Sequence, residues 1–166
     1  VWFYDAAGGA KTLSCLGMYR NRFWFVWNQG LQGVGWWVYA HHSGEDLWSG
    51  PNATGDFFAT VYDGATGPVT SKRWEASREG IEDFEYLFSL RQMLQDVEKK
   101  PASAGVVEEA RALLKNVPEQ IAETLQKTGR RLPLTPDSVP LYDEATRELQ
   151  KARDQITDVC LRLQSE

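Results

Sequence analysis

From Ser71 to Val97 apolar residues recur at spacings of three and four: Ile81, Phe84, Leu87, Phe88, Leu90, Met93, Leu94 and Val97. That period predicts one long helix with a broad apolar face. Ser71 supplies an N-cap, and Pro68 lies just outside the start. Glu75, Arg78 and Glu82 stand three and four apart, so they can pair along the helix surface. Two more helical stripes follow. Val107, Ala110, Leu114, Val117, Ile121 and Leu125 form one, and Pro118 inside it predicts a kink or two shorter helices. Ala145, Leu149, Ala152, Ile156, Val159 and Leu163 form the other. Its alternation of four and three is the seam of an antiparallel helical pair or bundle.

The first seventy residues are patterned differently. Val1 to Asp5 is a β-branched and aromatic run, which predicts a strand. Tyr19, Phe23, Trp24, Val26 and Trp27 predict a helix over Met18 to Gln29, stopped by Gly30. Gly33 to Ala40 is an apolar run of strand length without alternation, as in a parallel strand buried on both faces. Strand, helix, strand within 40 residues is a right-handed βαβ unit. His41 to Gly55 reads as a long polar loop and Asp56 to Tyr62 as a short strand or hairpin arm. Asp63-Gly64 and Gly67-Pro68 read as turns.

Charge divides the chain in the same place. Up to Trp74 the charges cancel, and all seven Trp lie there. The net charge of −5 therefore comes wholly from the helical part. An acidic chain with a pI near 5.1 is a poor match for nucleic acid or an anionic membrane. No apolar run approaches the ~20 residues of a membrane span. Cys15 and Cys160 fit no zinc or redox spacing and read as ordinary thiols rather than a disulfide. Asn52-Ala-Thr54 matches a glycosylation sequon, to which no role is assigned in a chain that reads as bacterial. The opening Val1-Trp-Phe-Tyr-Asp5 reads as mid-strand, so the chain is expected to be a piece of a longer protein.

The long helix also carries a motif. Pro68-x-x-Ser-x-Arg-Trp-Glu-Ala-x-Arg-Glu-Gly-Ile-Glu-Asp-x-Glu-Tyr-Leu87 resembles the C-terminal signature of the glycoside hydrolase family 123-like catalytic domain, also known as a DUF4091-type domain. The resemblance covers roughly residues 1 to 95. It extends to Trp2-x-Tyr4, Tyr19-Arg20, Trp24, Trp27, Gly33-x-Gly-x-Trp37, Asp46-Leu-Trp48, Gly55-Asp56 and Val61-Tyr62-x-Gly64. Lys72, Ser77 and Phe84 depart from the family pattern without removing an obvious reacting group, and Asp63 stands where the family typically has Pro.

The resemblance implies a fold and an activity. The fold would be the C-terminal part of a (β/α)8 TIM-type barrel over residues 1–97, followed by a helical extension over 98–166. Val1 to Asp5 and Gly33 to Ala40 would be the last two strands. The rest of the barrel would lie upstream as a partner in the same polypeptide. The activity would be that of an N-acetyl-β-galactosaminidase working by substrate-assisted retaining hydrolysis, in which the 2-acetamido oxygen attacks the anomeric carbon. The Asp-Glu pair that orients the acetamido group and protonates the leaving oxygen would also lie upstream of Val1. Glu45-Asp46 and Glu82-Asp83 are adjacent carboxylates in the wrong order and context, so no catalytic residue is named within the chain. The family suggests a secreted or periplasmic setting.

In that arrangement Tyr4, Asp5, Trp37, Tyr39, Asp46 and Trp48 would face a cleft and bind the sugar. Aromatic faces stack on the C–H face of a pyranose, and carboxylates and phenols bond its hydroxyls. Tyr4, Trp37, Tyr39 and Trp48 serve equally well as core residues, and Trp24, Trp27 and Trp36 read as core. His41 and His42 read as loop residues, and no third ligand is in range, so neither a metal site nor a cofactor is expected. Arg73, Trp74, Glu75, Arg78, Gly80, Glu82 and Asp83 read as a structural network that pins the helix start to its neighbours. Gly80 costs about 1 kcal/mol in mid-helix and suggests the close approach of another backbone. A non-catalytic carbohydrate-binding or structural module is the competing expectation.

Overall fold

A computed structural model describes residues 1–5, 13–36, 60–98, 104–130 and 136–165. β1 (Trp2–Asp5) pairs in parallel with β2 (Gly33–Trp36), placing Trp2 opposite Gly33 and Tyr4 opposite Gly35. Between them a π-helical segment, Cys15–Arg20, runs into α1 (Asn21–Asn28). The Ser14 side chain accepts the Gly17 N–H at 3.0 Å and so caps the π-helical segment. Gly30, with φ of 61°, ends the helical turn as the sequence predicts.

β3 (Val61–Gly64) and β4 (Gly67–Thr70) form an antiparallel hairpin across Ala65-Thr66. The residues expected to be turns are thus the ends of two strands, with the turn between them. The hairpin leads straight into α2 (Lys72–Val97). Ser71 caps it: its Oγ accepts from the N–H groups of Arg73 and Trp74, both at 3.2 Å. The same hydroxyl donates to the Thr60 carbonyl at 2.5 Å, tying the helix start to the hairpin base. α3 (Ala104–Lys127) and α4 (Val139–Gln164) complete the chain, α4 entered through a 3-10 turn at Pro136–Ser138.

The three long helices share one core. Leu87, Leu90, Leu94 and Val97 from α2 meet Ala110, Val117, Ile121 and Leu125 from α3. Ala145, Leu149, Ala152, Ile156, Val159 and Leu163 from α4 close it. Each fully buried Leu or Ile contributes about 1.5–3 kcal/mol of transfer free energy. Ala110 and Ala145 are fully buried, and their small side chains let the helix backbones come close. Trp24 of α1 belongs to the same cluster at 1% exposure. A smaller cluster of Leu13, Met18, Tyr19 and Ala76 lies under the start of α2.

This architecture corrects the expected fold class. The described chain is mainly helical, with two small two-stranded sheets, and is not a (β/α)8 barrel segment with an appendage. Of the predicted strand Gly33 to Ala40, Gly33–Trp36 form β2, and residues 37–40 lie outside the described residues. The expected eighth barrel helix, α2, instead packs with α3 and α4 around a common core. The physical reason is the apolar content of the second half. Three amphipathic helices of 26, 24 and 26 residues bury their stripes against one another. A parallel strand–helix–strand unit is present, but it looks the same locally in a barrel and in any other parallel pair.

Three finer expectations change as well. The predicted apolar face of α2 divides in two: Leu87, Leu90, Leu94 and Val97 point to the core, while Ile81 and Phe88 are exposed. Phe84 packs edge-on against Trp27 with centroids 5.2 Å apart, and Arg91 lies over Trp27 and Phe88. Gly80 is approached by a side chain, the Phe23 ring, and not by a backbone. α3 runs through Pro118 as one helix, and the Pro118 carbonyl accepts from Asn28 Nδ2 at 3.0 Å. Among the described residues no helix is long and apolar enough to cross a membrane.

Candidate functional site

The charged residues of the α2 motif gather around one buried carboxylate. Asp83 is 2% exposed and accepts four hydrogen bonds. Arg20 reaches it with two parallel bonds, Nε to Oδ2 at 2.7 Å and Nη2 to Oδ1 at 2.9 Å. Arg153 of α4 donates Nε to Oδ1 at 2.7 Å. Trp24 Nε1 donates to Oδ2 at 3.0 Å. Two charge-assisted pairs and an indole thus meet on one carboxyl group, with near-ideal fork geometry at Arg20.

Neighbouring carboxylates extend the network. Glu79 lies 3.3 Å from Arg20 Nη1 and 3.1 Å from Arg153 Nη2. Arg153 Nη2 also donates to the Glu79 carbonyl at 3.0 Å. Glu82 stands 3.6 Å from Arg153 and contacts Arg78. Arg78 bonds Glu75 at 2.9 Å, and that bond holds the Glu75 carboxyl below its ordinary range. Burial works to lower the Arg153 guanidinium, but the charge and hydrogen bond of Asp83 outweigh it and hold it above its usual value.

Chemically this is a clamp. Each of Glu75, Glu79, Glu82 and Asp83 is engaged by a guanidinium. The cluster joins the π-helical segment, α1, α2 and α4. Sequence reading reached Asp83 and its neighbours on α2 but missed Arg20 and Arg153 as partners. They lie 63 and 70 positions away from Asp83 and carry no local spacing signal. Arg153 does sit one place after Ala152 in the α4 stripe. A charge bordering a core stripe is the one sequence hint that it faces inward.

The start of α2 forms a second cluster. Arg73 Nη2 donates to the Tyr62 hydroxyl, and its guanidinium lies 5.7 Å from that ring's centroid. Tyr19 is buried beneath, with Arg22 over its ring at 5.1 Å. Burial pushes the Tyr19 phenol up to about 12, against the opposing charges of Arg73 and Arg22. Burial likewise raises the Cys15 thiol, against Arg73 and Lys72. Cys15 and Cys160 are both free thiols.

The expected sugar-binding residues fare differently. Tyr4 is described and is 58% exposed on β1, next to Trp2 at 73%. Asp5 ends β1, and its side chain lies outside the described residues, as does that of Trp36. Trp37, Tyr39, Asp46 and Trp48, with His41 and His42, also lie outside them. On the opposite face of β1, Phe3 meets Phe25 with centroids 5.0 Å apart. Both rings border a cavity of about 410 Å³ shared with Met18, Arg22, Ala122 and Arg130. Among the described residues no group of three or more His, Cys, Asp and Glu could hold a metal ion.

No protein-family model matches the chain, and no curated protein or solved structure matches it.

Proposed function

We propose that the chain is the C-terminal part of a glycoside hydrolase acting on N-acetyl-β-hexosaminides in the manner of an N-acetyl-β-galactosaminidase. In this reading the catalytic Asp-Glu pair is supplied by another part of the polypeptide, and this part braces the site and presents aromatic surface to the sugar. Support comes from the Pro68–Leu87 signature, a long motif with few departures. The observation that carries the division of labour is the Asp83 clamp. The signature's buried carboxylate is engaged by Arg20, Arg153 and Trp24, which supports a scaffold role for the motif in this reading.

The competing reading is a carbohydrate-binding or structural module without catalysis. One observation favours it: each carboxylate of the clamp is already engaged by a guanidinium. The test is a panel of aryl N-acetyl-β-hexosaminides offered to the complete natural polypeptide. Turnover of the galacto-configured substrate supports the hydrolase. A folded polypeptide that turns over none of the panel moves the assignment to the binding module.

A further inference from the structure

β1 alternates its side chains across the sheet. Phe3 faces α1 and stacks on Phe25, while Trp2 and Tyr4 share the other face. Opposite them in register stand Gly33 and Gly35. A Cβ on Gly33 would meet Trp2 Cδ2, Cε2 and Cε3 at 2.9, 3.0 and 3.1 Å. Cδ2 is a fused-ring carbon with ring atoms on all sides in its plane. Near-equal distances to it and two of its neighbours therefore place Gly33 above the ring face. The indole lies flat on β2, one π face against the backbone and the other toward solvent. A Cβ on Gly35 would meet Tyr4 Cδ2 at 3.4 Å, in ordinary contact.

We propose that Trp2 and Tyr4 form a flat stacking platform for the pyranose rings of a β-linked glycan. This rests on the glycoside hydrolase reading above and adds to it a binding subsite with Trp2 as its principal residue. The flatness argues for the occupant. A protein sheet docks by interdigitating side chains, and an indole laid flat over Gly33 leaves no groove there to receive them. A sugar ring needs only a planar apolar surface, with polar groups at the rim for its hydroxyls. The Tyr4 phenol supplies one such group. A nucleobase would need the same rings but would bring phosphates, which an acidic chain of net charge −5 disfavours.

The test uses the complete natural polypeptide and a sulfur-linked, uncleavable β-disaccharide of N-acetylgalactosamine, with binding followed by saturation-transfer NMR. Trp2→Leu keeps apolar bulk and removes the π face. Trp2→Phe keeps a smaller flat ring. Gly33→Ala adds a methyl group that lifts the indole off β2. The platform predicts that Trp2→Leu and Gly33→Ala each weaken binding by about five- to tenfold, and that Trp2→Phe retains most of it. Equal binding by wild type and Trp2→Leu overturns the proposal, and so does the absence of wild-type binding. Unfolding of both Trp2→Leu and Gly33→Ala overturns it too, because the face would then be packed by protein. Turnover of an aryl glycoside by the same preparations reports separately on the hydrolase reading. Turnover unaffected by these variants would leave that reading standing without the platform.

Discussion

Replacing Asp83 by Asn removes one negative charge and almost no volume. Its effect can be worked from the clamp. The side chains of Arg20 and Arg153 are 11% and 17% exposed, and both depend on Asp83 for their shortest bonds, at 2.7 Å. The amide retains one acceptor oxygen and turns an N–H pair toward guanidinium donors. Removing one partner of a buried ion pair costs about 3–5 kcal/mol, most of it the penalty of an uncompensated buried charge. Glu79 still touches both arginines, at 3.3 and 3.1 Å, and is 32% exposed. That residual partner places the expected loss near the lower end, about 3 kcal/mol. For a chain of this size the melting temperature should fall by about 6–12 °C. Urea unfolding followed by circular dichroism reads the loss directly, with the slope unchanged. Glu82→Gln, at a 39%-exposed position, should lose under about 1 kcal/mol. Replacing the whole group, Arg20→Met with Asp83→Leu and Arg153→Met, should recover most of the stability. A Asp83→Asn loss within about 1 kcal/mol of wild type would refute the claim that the clamp holds the helices together.

Three further predictions concern packing and titration. Gly80→Ala gains about 1 kcal/mol of helix propensity but drives a methyl group into the Phe23 ring, so a net loss of about 1–2 kcal/mol is expected in the same unfolding assay. Gly17→Ala should cost more, because its methyl group would meet the Gly129 backbone, which cannot rotate away as a ring can; equal costs at the two sites would count against this. Burial pushes the Tyr19 phenol up to about 12 in the folded chain, against an ordinary value of about 10 when unfolded. Its contribution is complete below pH 10 and is lost as pH rises toward 12, by about 2–3 kcal/mol, because the unfolded chain gives up the proton first. Stability measured from pH 9 to pH 11.5 should show this fall, and Tyr19→Phe should flatten it.

What was legible in the sequence follows the range of the interaction concerned. Ser71, its helix and the stripes of α3 and α4 are matters of spacing within a few turns, and spacing is visible in one sequence. The parallel pairing of β1 and β2 through α1 was also local enough to read. The number of strands beside that pair was not. It depends on which surfaces meet, and the apolar helices after Val97 found their partners in α2 and in each other. Pro118 reads as a breaker by propensity, yet α3 continues through it because Val117, Ile121 and Leu125 are buried on both sides of the position. Asp83 was recognisable as part of a charged network, but its depth and its partners Arg20 and Arg153 are set by tertiary contact alone. The proposed platform draws on both sources. Tyr4 was marked by its type and place, whereas the importance of Trp2 appears only once Gly33 stands opposite it.

The central claim is that this chain serves a hydrolase whose substrate carries its own nucleophile. It is tested most directly by comparing two aryl β-galactosides, one with a 2-acetamido group and one with a 2-hydroxyl, as substrates of the complete natural polypeptide. The account predicts turnover of the acetamido compound and none of the hydroxyl compound. Equal turnover of both would contradict substrate assistance, and turnover of neither by a folded polypeptide would contradict the hydrolase itself.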